Sequence, residues 1–146
     1  MGEAADPGAS YPGEFVVQSR FVGAWAMLTL AGELDLATVP AAECELAQAE
    51  RQTRLVLLDL SGVSLMDSTG LHMVIKAARR LADRNGRLVL VDVPRSVRRL
   101  FEVTRTIDHL DIVRDALGFL ATDLAGRASG ARVRPDSPKK QLHHLP

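Results

Sequence analysis

Asp67-Ser68-Thr69-Gly70 sets a carboxylate, two hydroxyls and a glycine in succession, where one apolar run ends and another begins. Such a cluster at the start of a helix can do two things. Asp67 or Ser68 can cap the helix by accepting backbone N–H groups, or a hydroxyl can carry a phosphoryl group, whose charge the helix N-terminus favours. Ser68 is the expected acceptor. Thr69 competes with it but should sit deeper in the first turn. Gly70 either permits close packing at the helix start or relieves crowding there. One turn on, His72 is expected at the helix surface, where it could meet a partner and respond to pH.

A second acidic position, Asp35, ends Gly32-Glu33-Leu34-Asp35 and precedes Thr38 and Pro40. Both Asp35 and Thr38 can cap a helix, and proline is tolerated in a first turn. No Gly-x-Ser-x-Gly elbow, phosphate-binding P-loop or His-Glu-x-x-His motif is present, and the glycine of Asp-Ser-Thr-Gly falls one residue too late for an aspartic protease loop. An enzyme is not expected, and neither a cofactor nor a metal site is expected. His109 reads as a loop residue; His143 and His144 lie in a polar tail without further ligands. The single cysteine, Cys44, excludes an internal disulfide and reads as small and partly buried.

The elements that must position these residues follow from periodicity. Residues 1–13 form a Gly-, Ala- and Pro-rich leader without periodicity. Strands are expected at 14–19 and 24–31, joined by a turn at 20–23 in which Gly23 takes a positive φ. A helix should run to about Gln52, with Val39, Ala42, Leu46 and Ala49 inward and Glu43, Glu45 and Glu50 outside that face. Residues 54–60 read as a strand covered on both faces, and 61–64 as a short connection. Leu71, Val74, Ile75, Ala78 and Leu81 mark a helix face, with Lys76, Arg79 and Arg80 outward and a stop at Asn85-Gly86. A strand at 87–93, a helix capped by Ser96, a short strand at 110–113 and a helix at 115–124 complete the order. The inner face of that last helix should be Ala116, Phe119, Leu120 and Leu124, and Trp25 should anchor a strand end. The fold class is α/β: one domain over 14–124, with a mixed, mainly parallel sheet of four to five strands packed with about four helices. Residues 125–146 read as a disordered basic tail.

At 146 residues, with 47% hydrophobic, 25% charged and only 4% aromatic residues, the chain suits one domain with an aliphatic core. No stretch is long and apolar enough to span a membrane, the N-terminus lacks the pattern of a secretory signal, and the cysteine content fits a cytoplasmic protein. Net charge is zero but uneven: residues 1–50 hold eight acidic and one basic residue, and 51–146 hold ten and seventeen. The arginines interleave with apolar residues at helical spacing, which reads as solvated helix faces and not as a nucleic-acid surface.

Gly32-Glu33-Leu34-Asp35, Leu57-Leu58-Asp59-Leu60-Ser61-Gly62-Val63, Met66-Asp67-Ser68-Thr69-Gly70-Leu71 and Val97-Arg98-Arg99-Leu100-Phe101 together resemble the anti-sigma factor antagonists of the STAS superfamily, over roughly residues 14–124. The resemblance implies a STAS-like domain that binds an anti-sigma factor with serine kinase activity, releasing a sigma factor. It implies phosphorylation at Ser68, which ends binding, and reversal by a metal-dependent serine phosphatase. Asp35, Asp67, Thr69, Gly70 and His72 then lie on the partner-binding surface. Two positions depart from the family pattern: His72 stands where glycine is common, and Thr104-Arg105-Thr106-Ile107 replaces a Thr-Gly-Leu turn. The alternative is a STAS-type scaffold subunit of a transporter or sensor complex, without sigma regulation.

Overall fold

A computed structural model describes residues 14–128. Its five-stranded sheet runs in the order β1 (Val16–Val22), β2 (Trp25–Leu34), β3 (Leu55–Met66), β4 (Arg87–Val91) and β5 (Asp111–Val113). β1 and β2 form an antiparallel hairpin, and β2 to β5 are parallel. The parallel strands are joined by α1 (Val39–Gln52), α2 (Ser68–Asp83) and α3 (Arg95–Val103), and α4 (Ala116–Ala128) follows β5. The expected α/β architecture is the observed one.

Alternation along the central strands divides the core between two faces. Leu28, Leu30, Val56, Leu58, Leu60, Leu88 and Leu90 pack with α1, α2 and α3 through Leu46, Val74, Leu81 and Phe101. Leu55, Leu57, Val89 and Val91 face the other way, against Leu120 and Phe119 of α4 and against Trp25, which anchors the start of β2 as expected. A continuous aliphatic run such as Leu55–Leu58 is therefore buried on both sides, as the lack of polar alternation predicts.

Several expectations are corrected. β1 reaches Val22 and its turn is confined to Gly23-Ala24, with Gly23 at φ +59° as expected. Ser61–Ser64 is no connection but part of β3, which runs on to Met66. Glu50 is buried, not outward, because Arg80 clasps it with two hydrogen bonds of 2.8 and 2.7 Å; Arg80 also reaches Glu43, so it joins α1 to α2 while part of its side chain still faces water. Cys44 is exposed. Ser96 lies inside the first turn of α3, whose cap position is Pro94. α4 continues to Ala128, and Leu124 is 56% exposed, off its inner face. The leader at 1–13 and residues 129–146 of the tail lie outside the described residues. No helix among the described residues is long and apolar enough to cross a membrane.

Candidate functional site

β2 and β3 outrun the rest of the sheet. The β3–β4 ladder ends at Asp59–Val91, whereas β3 continues beside β2 to the pair Leu34–Met66. Along this extension the register slips twice, between Thr29 and Ala31 and between Gly32 and Glu33. At the first slip the Asp59 carboxylate accepts the Ser61 N–H at 2.9 Å. Buried residues then recur at 58, 60, 63 and 66, the steps of three marking where β3 holds an extra residue. Gly32 makes the second slip possible: its φ is +103°, and a Cβ there would lie 2.7 Å from the Glu14 carbonyl.

The extension ends by delivering two turns side by side, tied by a hydrogen bond from Asp67 N–H to the Leu34 carbonyl at 3.2 Å. In the first turn, the Asp35 carboxylate accepts the N–H groups of Ala37 (3.0 Å) and Thr38 (3.2 Å), while the Asp35 N–H donates to Thr38 Oγ1 at 2.9 Å. Thr38 Oγ1 donates in turn to the Glu33 carbonyl. Asp35 is half-buried, so its carboxylate builds the turn more than it offers itself to solvent. What that turn displays is Leu36, 75% exposed. Sequence reasoning missed Leu36; the available signal was a leucine in a turn outside any helical or strand period.

In the second turn Asp67 is the N-cap of α2. One carboxylate oxygen accepts Thr69 N–H (2.9 Å), Gly70 N–H (3.2 Å) and the Thr69 hydroxyl. The Thr69 hydroxyl is the main cause holding the Asp67 carboxyl below its ordinary range; burial, the next largest effect, opposes it, and the Gly70, Thr69 and Leu36 N–H groups add to the lowering. The cap leaves the two hydroxyls in different surroundings. Thr69 is half-buried and committed to Asp67, whereas Ser68 is exposed at the first helical position, and its hydroxyl makes no hydrogen bond to any described residue.

The same cap alters one expectation. The N–H groups of Thr69 and Gly70, expected to receive negative charge at Ser68, are already taken by Asp67. A phosphate on Ser68 would stand beside an ionised carboxylate, not in an empty cradle. Gly70 is also no surface residue: it is buried, and a Cβ would meet Met66 Cγ at 2.8 Å and the Leu34 carbonyl at 3.0 Å. It lets α2 start hard against the strand ends. His72 is exposed, one turn after Ser68 on the same helix face. The site thus brings Asp35, Asp67, Ser68, Thr69 and His72 to one end of the sheet, with Gly70 beneath them. Among the described residues no group of three or more His, Cys, Asp or Glu side chains is placed to hold a metal ion.

Comparison with known proteins agrees with this architecture. The family model described as "STAS domain" matches residues 16–117. The anti-sigma-B factor antagonist of Listeria monocytogenes is 38% identical over 84 residues, covering 57% of this chain and 74% of that protein. Among solved structures, an anti-sigma factor antagonist from Mycobacterium paratuberculosis superposes with a TM-score of 0.68 at 20% identity, over 78% of this chain and 97% of the other. SpoIIAA, a cell fate determinant of Bacillus solved in a phosphorylated form, superposes with a TM-score of 0.59 at 19% identity, over 75% and 99%. At these identities the structural matches speak for the fold.

Proposed function

The chain belongs to the STAS-domain anti-sigma factor antagonist family, and from that premise we propose that it binds an anti-sigma factor while Ser68 is unmodified and lets go when Ser68 is phosphorylated. The partner is an anti-sigma factor that is also a serine kinase. Its γ-phosphoryl group passes from ATP to Ser68 Oγ, the hydroxyl proton is lost and ADP leaves; hydrolysis by a serine phosphatase restores the hydroxyl. The observation that carries this reading is the contrast between two adjacent hydroxyls, Ser68 exposed and unengaged and Thr69 bound to Asp67.

Charge and shape then account for a switch without refolding. The binding surface is built around exposed Leu36, an apolar anchor displayed by the Asp35 turn, which the Asp67–Leu34 hydrogen bond ties to the start of α2. Phosphorylation adds about −1.5 to −2 charges at neutral pH beside Asp67. With the nearest N–H groups occupied, the phosphate projects toward the partner, and desolvating it next to a carboxylate opposes association. A loss of about 3 kcal/mol weakens binding roughly a hundredfold.

The test compares binding of the anti-sigma kinase to wild-type protein, to protein verified by mass spectrometry as phosphorylated at Ser68, and to Leu36→Ser. Both altered forms should bind at least tenfold more weakly, with melting temperatures close to wild type, and Ser68→Ala should accept no phosphate. Phosphate persisting in Ser68→Ala, or equal binding by the phosphorylated form, refutes the assignment. Stable capture of a transporter subunit, with no anti-sigma factor bound, would favour the scaffold reading instead.

A further inference from the structure

β1 is an outer strand of the sheet, hydrogen-bonded to β2 alone among the described residues. Its seven residues pair with β2 without a bulge, and its single charge is Arg20. Phe21 and Val22 at its end are 42% and 46% exposed. Outer strands are ordinarily blunted by charges, proline or a bulge, or covered by a helix or loop, and within its seven residues β1 has only Arg20 for this.

We propose that a second copy of this chain pairs with this edge, β1 antiparallel to β1, about a twofold axis through Ser19. The strand's own residues select that register. Val16 then faces the second copy's Val22, Val17 its Phe21, Gln18 its Arg20, and Ser19 its counterpart. Residues opposite each other in an antiparallel pair share a face, and an axis through a residue pairs odd with odd. Ser19, which donates to Glu45 of α1 at 3.1 Å, therefore stays on the α1 side with Val17 and Phe21. Placing the axis at Arg20 sets like charges against each other, which is destabilising. Placing it at Gln18 leaves Phe21 and Val22 unpaired. Only the register through Ser19 pairs all seven residues.

The joined sheet has ten strands, and the Ser68 ends of the two copies point away from each other, so both remain accessible. Two seven-residue strand edges make a smaller contact than the roughly 1,600 Å² of a standard stable interface. The dimer is accordingly weak and reversible.

Gln18 is exposed, so charge can be changed there without touching the fold. Gln18→Glu creates two symmetric Glu–Arg pairs across the axis, and Gln18→Arg creates two Arg–Arg pairs. Sedimentation equilibrium of the full chain at low salt, from roughly 10 µM to 1 mM, should show a monomer–dimer equilibrium about fivefold tighter for Gln18→Glu and at least fivefold weaker for Gln18→Arg. The difference should shrink in high salt. A monomer at all concentrations, a dimer indifferent to both substitutions, or one abolished by Leu117→Ser on the outer face of α4 would each overturn the assignment.

Discussion

Asp67 shows how much one carboxylate can organise. It starts α2, immobilises Thr69 and leaves Ser68 as the unengaged hydroxyl. Replacing it with alanine should cost about 1 kcal/mol of stability near neutral pH. The sign of its pH dependence follows from its depressed titration. Because the folded-state value lies below the ordinary 3.8, the stabilisation is complete above that value and is lost as pH falls through the lower folded one. Urea denaturation of wild type and Asp67→Ala should therefore differ by a constant amount above about pH 5 and converge under strong acid. The Asp67 cap and the exposed hydroxyl beside it were legible because residue types at a strand-to-helix junction carry their own chemistry. Close packing at Gly70 was one of its two local readings and is the one observed, but nothing local reveals that Leu34, thirty-six residues earlier, is what presses against it and keeps it off the surface the resemblance implied. Leu36 was overlooked because an exposed leucine breaks no rule of sequence.

Among the elements, helix ends separate what can be read locally from what cannot. α2 and α3 close alike. Asn85 (φ +60°) and Arg105 (φ +61°) each take a left-handed conformation, and the next N–H turns back to Leu81 (2.6 Å, from Gly86) or Phe101 (2.9 Å, from Thr106). Asn85 announces that ending; Arg105, of a residue type with no preference for the left-handed conformation, conceals it. Arg105→Gly should raise unfolding stability by about 0.5–1 kcal/mol, since the left-handed penalty outweighs the added freedom of the unfolded chain. Arg105→Val should lower it by about 1 kcal/mol. Chemical denaturation decides between these signs. β3 was read short for a related reason: a strand declares itself by a step of two, and buried residues at 60, 63 and 66 do not keep it.

At the scale of the whole molecule, layer order and topology were legible because periodicity alone sets helix and strand order, and parallel strands demand crossovers. Long-range pairings were not. Glu50 and Arg80 each look like solvated helix residues in their own segments, and only the packing of α1 on α2 turns them into a buried clasp. Arg80→Met should destabilise the protein by about 2 kcal/mol, less than for a fully buried pair because Arg80 is 40% exposed. Arg80→Met with Glu50→Leu should cost less than the sum of the single changes, a coupling measurable in a double-mutant cycle. The two register slips have a different kind of consequence, for which lengths of chain the fold can accept. A surface loop shrugs off the loss of one residue, but the stretch from 60 to 66 counts. Deleting one residue at a slip should remove the extra residue held there and leave every later side chain of β3 on its own face, with Met66 still inward and α2 starting on its proper side. Deleting two, one from each slip, should leave an unbroken ladder with the same partners, whereas a third has no extra residue to remove and turns the later side chains over. Shortening of this ribbon should therefore be tolerated up to the two residues that the slips hold, and not beyond.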